Sequence, residues 1–189
     1  MKTEFEKMRS SEPYRYDDPE VIRSVERAQR LCLRLNRLTL RSPAYRAVIG
    51  RLLPLMDPSS AVCPPFYCDH GSGVTIGAST FINQSCRMLD EAPIRIGSHV
   101  KIGPDCKFYT ATHPLSHLQR REPVERGLPI IVGDDTWIGG GVTVCPGAVI
   151  GSRCVIAAGS VVRGTIPSDT LAAGNPAVVK RRLDEGSGV

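Results

Sequence analysis

Residues 132–162 read VGDDTWIGGGVTVCPGAVIGSRCVIAAGSVV, and their spacing decides the fold. Val132, Ile138, Val144, Ile150, Ile156 and Val162 recur every six residues without a break. The residue after each anchor is mostly small: Gly133, Gly139, Cys145, Gly151 and Ala157, then Arg163. Four residues after the anchors stand Thr136, Val142, Ala148, Cys154 and Ser160, again small or β-branched. A period of six is neither helical nor a strand alternation; it marks a parallel β-helix, in which each unit forms one short flat face and three faces complete a coil. The bulky aliphatic must point inward, so that equivalent positions stack into a buried column. The small residue after it is expected to permit the corner through glycine's freedom in φ.

The same code appears upstream in Ile76-Gly77, Ile82-Asn83 and Met88, then in Ile96-Gly97, Ile102-Gly103 and Phe108. Its phase slips by two residues around Asp90-Glu91-Ala92-Pro93. The ladder is interrupted once more, from Tyr109 to Leu128, by a segment with two histidines, two prolines and several charges. An insertion of that length in a tight solenoid is more often functional than decorative.

Outside the repeat, residues 1–58 read as helical. Asp18-Pro19-Glu20 is a helix start, with Asp18 as cap, and Val21, Val25, Ala28, Leu31, Cys32 and Leu35 form one apolar stripe among arginines. Ser42-Pro43 is expected to open a second short helix that ends before Pro54. The paired prolines make residues 59–73 extended. The expected organisation is a helical segment over 1–58, a β-helix over 59–179 with an insertion at 109–128, and a tail over 180–189.

The 189 residues hold 18 glycines and 15 prolines against 5% aromatics, which favours a turn-rich β architecture over an aromatic-rich core. A net charge of +5 is mild, and its arginines fit a solvated helix face better than a nucleic-acid site. No apolar run reaches membrane-spanning length and no signal-peptide core precedes the helices, so a cytoplasmic protein is expected. Seven cysteines include no C-x-x-C pair; Cys86, Cys106 and Cys154 occupy the small-residue positions of the repeat and read as core thiols.

Several segments resemble the hexapeptide-repeat sugar O-acetyltransferases that act on maltose, galactosides and nodulation factors. They are Glu6-Lys7-Met8, Tyr14 to Glu20, Pro64 to Gly71, Phe81-Ile82-Asn83, Thr110-Ala111-Thr112-His113-Pro114, Asp135 to Gly141 and Ala172 to Ala177. The resemblance implies a left-handed coil, a homotrimer with active sites between subunits, acetyl-CoA as co-substrate rather than a resident cofactor, and a small sugar acceptor. Nucleic acid, membrane and metal are not implied.

By the same resemblance, His113 matches the general base. A hydroxyl is a poor nucleophile at neutral pH, and histidine titrates where a base is needed. Glu125, four residues before Pro129, matches a carboxylate that orients it. Gly140 matches the backbone N–H that meets the oxyanion. Asp17, Asp69, Asn83 and Asp90 or Glu91 match acceptor-binding positions. Trp137, Gly140, Ala158, Arg163, Gly164 and Arg181 match acetyl-CoA contacts. Relatives carry Thr-Lys where this chain has Arg163-Gly164, and arginine where it has Val178. Two other readings remain open: a zinc lyase of the γ-carbonic-anhydrase kind, for which His113 and His117 have the suggestive spacing, and a silent trimeric binding protein.

Overall fold

Each anchor of the six-residue repeat lies at or next to the end of a strand of two to four residues and buries its side chain in one continuous core. A computed structural model describes residues 1–184 as a left-handed parallel β-helix of about six turns, with three helices at its N-terminal end. Face 1 stacks Leu55–Met56, Val74–Ile76, Ile94–Ile96, Ile130–Val132, Val149–Ile150 and Thr165–Ile166. Face 2 stacks Ala61–Val62, Phe81–Ile82, Lys101–Ile102, Trp137–Ile138, Val155–Ile156 and Thr170–Gly174. Face 3 stacks Phe66–Cys68, Cys86–Leu89, Lys107–Tyr109, Thr143–Val144 and Val161–Val162.

Register follows the sequence period. Ile138 pairs with Ile156, eighteen positions on. Val62 pairs with Ile82 and Ile82 with Ile102, each twenty positions on. The two extra residues lie at the corner from face 3 to face 1, corner 3. The slip read between Met88 and Ile96 has a twin one coil below, between Cys68 and Ile76.

The small residue after each anchor serves a purpose other than the one the sequence suggests. Positive φ falls two residues later, at Ser79, Ser85, His99, Asp105, Asp135 and Arg153, with values between 55° and 64°. The small residue is required because coils approach closely. A Cβ on Gly103 would lie 2.5 Å from the Gly140 nitrogen, and one on Gly139 would lie 2.6 Å from that of Ala158. The thiols of Cys86, Cys106 and Cys154 are buried in the column, as their positions imply.

The N-terminal helices close the first coil. Helix α1, Glu4–Arg9, starts at a capping box between Thr3 and Glu6. Helix α2, Pro19–Leu35, has Asp18 as its cap and Pro19 in its first turn, and it buries Val21, Ala28, Leu31, Cys32 and Leu35. Its arginines 23, 27, 30 and 34 are exposed. Helix α3, Tyr45–Leu52, begins later than Ser42-Pro43 suggests, because the Ser42 hydroxyl instead accepts from the Thr39 N–H (2.9 Å) to hold a preceding turn. Two side chains take the place of a missing lower coil. The Tyr45 hydroxyl donates to Val62 O (2.9 Å) and accepts from Val62 N–H (3.0 Å). The Asn36 amide donates to Phe66 O (3.1 Å) and accepts from Phe66 N–H (2.8 Å).

At the other end, Ala177–Arg182 folds back antiparallel on Thr170–Gly174, so the segment expected as a tail begins as a strand. Residues 185–189 of that tail lie outside the described residues. Among the described residues, no helix is long and apolar enough to cross a membrane.

Candidate active site

The insertion at corner 3 is a ribbon rather than an irregular loop. Ala111–Thr112 pairs antiparallel with Val124–Gly127, and Tyr14–Arg15 adds a third strand on the far side. This register sets Tyr14 opposite Glu125, and directly opposed residues bring their side chains together. The buried Tyr14 hydroxyl donates to Glu125 Oε1. Burial, and then that hydrogen bond, push the phenol's pKa far above its ordinary value. Glu125 Oε2 lies 3.6 Å from His113 Nε2. The carboxylate is mostly buried, at 12% exposure, while the imidazole is 52% exposed. The Tyr16 ring meets His113 edge-on, with centroids 6.5 Å apart at 90°.

A cleft of about 350 Å³ lies between this ribbon and α2. Tyr14, Tyr16, His113 and Glu125 form one wall, Val21 and Val25 of α2 another, and Asp69 and Glu91 of the widened corner a third. Sequence reading left Asp90 and Glu91 as alternatives, and their surroundings separate them. Asp90 turns into the corner and accepts from the N–H groups of His70 (2.8 Å), Gly71 (3.0 Å) and Gly73 (2.9 Å). Arg9 Nη2 stands 3.6 Å from its second oxygen. Burial raises the Asp90 pKa, opposed by the Arg9 charge and the three amides. Asp90 thus holds the backbone that carries Asp69 and His70.

Glu91 turns to the cleft. Its Oε2 lies 3.0 Å from Thr110 Oγ1. Burial, then a hydrogen bond to Asp69 and the Asp69 charge, push its pKa up to about 9, so Glu91 holds a proton at neutral pH.

His70 also borders the cleft, and sequence reading did not single it out. Its Nδ1 lies 2.9 Å from Ser24 Oγ, and Phe5 packs edge-on against its ring. Burial, then the Arg9 charge, bring its pKa down to about 3, which keeps it neutral. Tyr14 and Tyr16 were missed as well. The two-residue spacing on a short strand was the available signal, since it puts both rings on one side. Asp17, which was singled out, pairs with Arg15 at 2.8 and 3.0 Å, and the cleft wall is built from its neighbours instead.

The remaining candidates lie elsewhere on the prism. Asn83, Gly140 and Ala158 stand at corner 2, between faces 2 and 3. Trp137, 54% exposed, and the exposed Arg181 project from face 2. Arg163 and Gly164 are at corner 3, above the ribbon. One chain therefore does not bring His113 together with Asn83 or Gly140. Gly139 donates to Ile156 O and Gly141 to Pro104 O, both at 2.8 Å, whereas the Gly140 N–H has no partner among the described residues. A Cβ on Gly140 would only touch Pro104 at 3.4 Å, so coil packing does not require glycine there. His117 is exposed in the insertion, and among the described residues no group of three or more His, Cys, Asp or Glu gathers in a metal-binding arrangement.

Comparison with known proteins agrees with this architecture. Residues 129–164 match the family model "Bacterial transferase hexapeptide (six repeats)", and residues 7–53 match "Maltose acetyltransferase hexapeptide capping motif". The chain is 39% identical to a putative acetyltransferase of Saccharomyces cerevisiae, over 89% of this chain and 86% of that protein. It is similar to the crystal structure of a maltose O-acetyltransferase from Clostridium difficile 630, with a TM-score of 0.94, 34% identity, and coverage of 97% and 99% of the two chains. It is also similar to a hexapeptide-repeat acetyltransferase from Vibrio cholerae complexed with acetyl coenzyme A, with a TM-score of 0.90, 41% identity, and coverage of 97% and 100%.

Proposed function

Because this chain belongs to the hexapeptide-repeat acetyltransferases, we propose that it transfers the acetyl group of acetyl-CoA to a hydroxyl of a sugar, with His113 as general base. The observation that carries this reading is the His113–Glu125–Tyr14 alignment at the mouth of a cleft lined by carboxyl groups. One ring nitrogen of His113 faces Glu125, which leaves the other to take the acceptor's hydroxyl proton. The oxygen attacks the thioester carbonyl, and the tetrahedral oxyanion is met by the Gly140 N–H. The C–S bond then breaks, and the imidazolium returns its proton to the thiolate, giving the O-acetyl sugar and free CoA. Asp69, Glu91 and the two tyrosines suit a sugar, since they offer directional partners to several hydroxyls.

The reading requires a second copy, because His113 and Gly140 stand at different corners. Faces 1 and 2 expose Leu55, Ile131, Phe81 and Trp137 beside Arg95 and Lys101, whereas face 3 presents one aromatic, Tyr67, with Arg87, Lys107 and Thr143. A three-fold axis at the corner between faces 1 and 2 packs those apolar faces together. It also places corner 3 of one copy beside corner 2 of the next. Each cleft of the homotrimer then combines His113, Glu91 and Asp69 from one subunit with Asn83, Gly140, Ala158 and Trp137 from its neighbour, and Arg163 and Arg181 approach from opposite sides for the CoA phosphates. Seven free cysteines suit a reducing cytoplasmic setting, where acetyl-CoA is at hand.

The test is a panel of sugars incubated with acetyl-CoA and a thiol reagent. Thiol release that requires a sugar, and that His113→Ala abolishes, is the expected result. Transfer to amines but to no sugar would overturn it.

A further inference from the structure

Val21, Val25, Gln29 and Leu33 stand four residues apart on α2 and form a single ridge about 18 Å long. The first two line the cleft that holds His113. The other two line a second cavity, of about 340 Å³, whose opposite wall is Tyr67, Cys68, Asp69 and Arg87. Asp69 borders both cavities, so the two lie side by side along the groove between α2 and the coil.

The second cavity has walls of a particular kind. Tyr67 and Arg87 are cross-strand partners on the outer surface of face 3. The guanidinium carbon lies 4.6 Å from the ring centroid, which fixes the orientation of an aromatic ring that is itself 39% exposed. The floor holds two small buried thiols, Cys32 and Cys68, with sulfurs 3.9 Å apart. The rim carries the amide of the exposed Gln29, the Asp69 carboxylate and the Arg87 guanidinium. A pyranose ring has an apolar C–H face that packs on an aromatic ring, and a circumference of hydroxyls that needs donors and acceptors. This cavity supplies both, and the cleft beside it, at about 350 Å³, has room for the reacting ring.

We propose that the groove is an oligosaccharide site: the acceptor's reacting ring lies at His113, and the next ring or rings lie over Tyr67 between Gln29 and Arg87. The proposal rests on the sugar-acetyltransfer reading and adds to it a preference for chains over single sugars. Tyr67 and Gln29 would be specificity residues that touch only the parts of the acceptor distant from the reaction, so their contribution grows with chain length.

The experiment measures kcat/KM for glucose, maltose and maltotriose, and for N-acetylglucosamine, its β-1,4 dimer and its trimer. Wild type, Tyr67→Ala and Gln29→Trp are compared; the last fills the groove from an exposed helix position. In the series that is acetylated, the trisaccharide is expected to exceed the monosaccharide by about tenfold, which corresponds to ~1.4 kcal/mol. Both substitutions should bring that ratio close to one. Equal kcat/KM along a series that is acetylated, or a ratio that neither substitution changes, overturns the oligosaccharide site and leaves the sugar-acetyltransferase reading standing. A Tyr67-dependent preference for alkyl glucosides over maltose overturns it in favour of an apolar substituent. Transfer to amines with no sugar acetylated overturns both.

Discussion

His113 Nε2 stands 3.6 Å from Glu125 Oε2, and the other oxygen of that carboxylate is already engaged by the Tyr14 hydroxyl. The orientation of the candidate base thus depends on a strand from the opposite end of the chain. Replacing His113 with alanine is expected to lower kcat by at least about a hundredfold, the scale of general-base catalysis. Its half-exposed side chain makes no core contact, so thermal unfolding and elution volume should stay unchanged. Turnover near the wild-type level would remove His113 from the mechanism.

Tyr14→Phe tests the support behind that base. The substitution keeps the buried ring and removes only the donor to Glu125. A stability loss of about 1 kcal/mol is expected. A several-fold fall in kcat with little change in KM should accompany it, since a loosened carboxylate affects the transition state more than binding. Steady-state kinetics alongside urea unfolding would separate the two effects. A fall in stability with kcat unchanged would make Tyr14 structural only.

Gly139 and Gly140 are neighbours with opposite expectations. Gly139→Ala forces a Cβ to within 2.6 Å of the next coil's backbone and should cost about 1–3 kcal/mol. Gly140→Ala meets Pro104 at an ordinary 3.4 Å and should fold as the wild type does. Its loss should appear in kcat, because a methyl group would crowd the approach to the free N–H. Full activity in Gly140→Ala would argue against that N–H as the oxyanion donor.

Glu91 gives the protein a pH-dependent stability of defined sign. Its pKa is about 9 when folded, against an ordinary value of 4.5. Between those values the folded chain holds a proton that the unfolded chain has released, so stability falls as pH rises. The contribution is complete below about pH 4.5 and is lost as pH rises through about 9. Glu91→Gln keeps the size of the group and removes the titration. Unfolding curves at several pH values between 5 and 9 should therefore slope less for the variant than for wild type; parallel curves would refute the raised pKa of Glu91.

Asp90→Asn places an amide NH₂ where three backbone N–H groups and Arg9 require acceptors. A loss of about 3 kcal/mol is expected from the unpaired donors and the uncompensated Arg9 charge. In a chain of this size that lowers the Tm by roughly 6–12 °C, which calorimetry would detect.

The coil was legible in the sequence because each rung repeats one demand, an inward aliphatic followed by a residue small enough for the next rung to approach. Corner 3 was legible as a break in that rhythm, and it does hold Asp69, Glu91 and His113. What the chain order hid was contact across long separations. Arg9 reaches Asp90, Ser24 reaches His70 and Tyr14 reaches Glu125, none of which a local pattern encodes. Asp90 and Glu91 are adjacent and chemically alike, and only the direction of each side chain gives one to the backbone and the other to the cleft.

The two side chains that cap the first coil bear on a hazard common to stacked strands. An open rung offers a row of unsatisfied N–H and C=O groups on which another chain can add. The Tyr45 phenol and the Asn36 amide occupy those groups at Val62 and Phe66. They act as terminators, so that growth stops at one molecule's length rather than continuing into a filament.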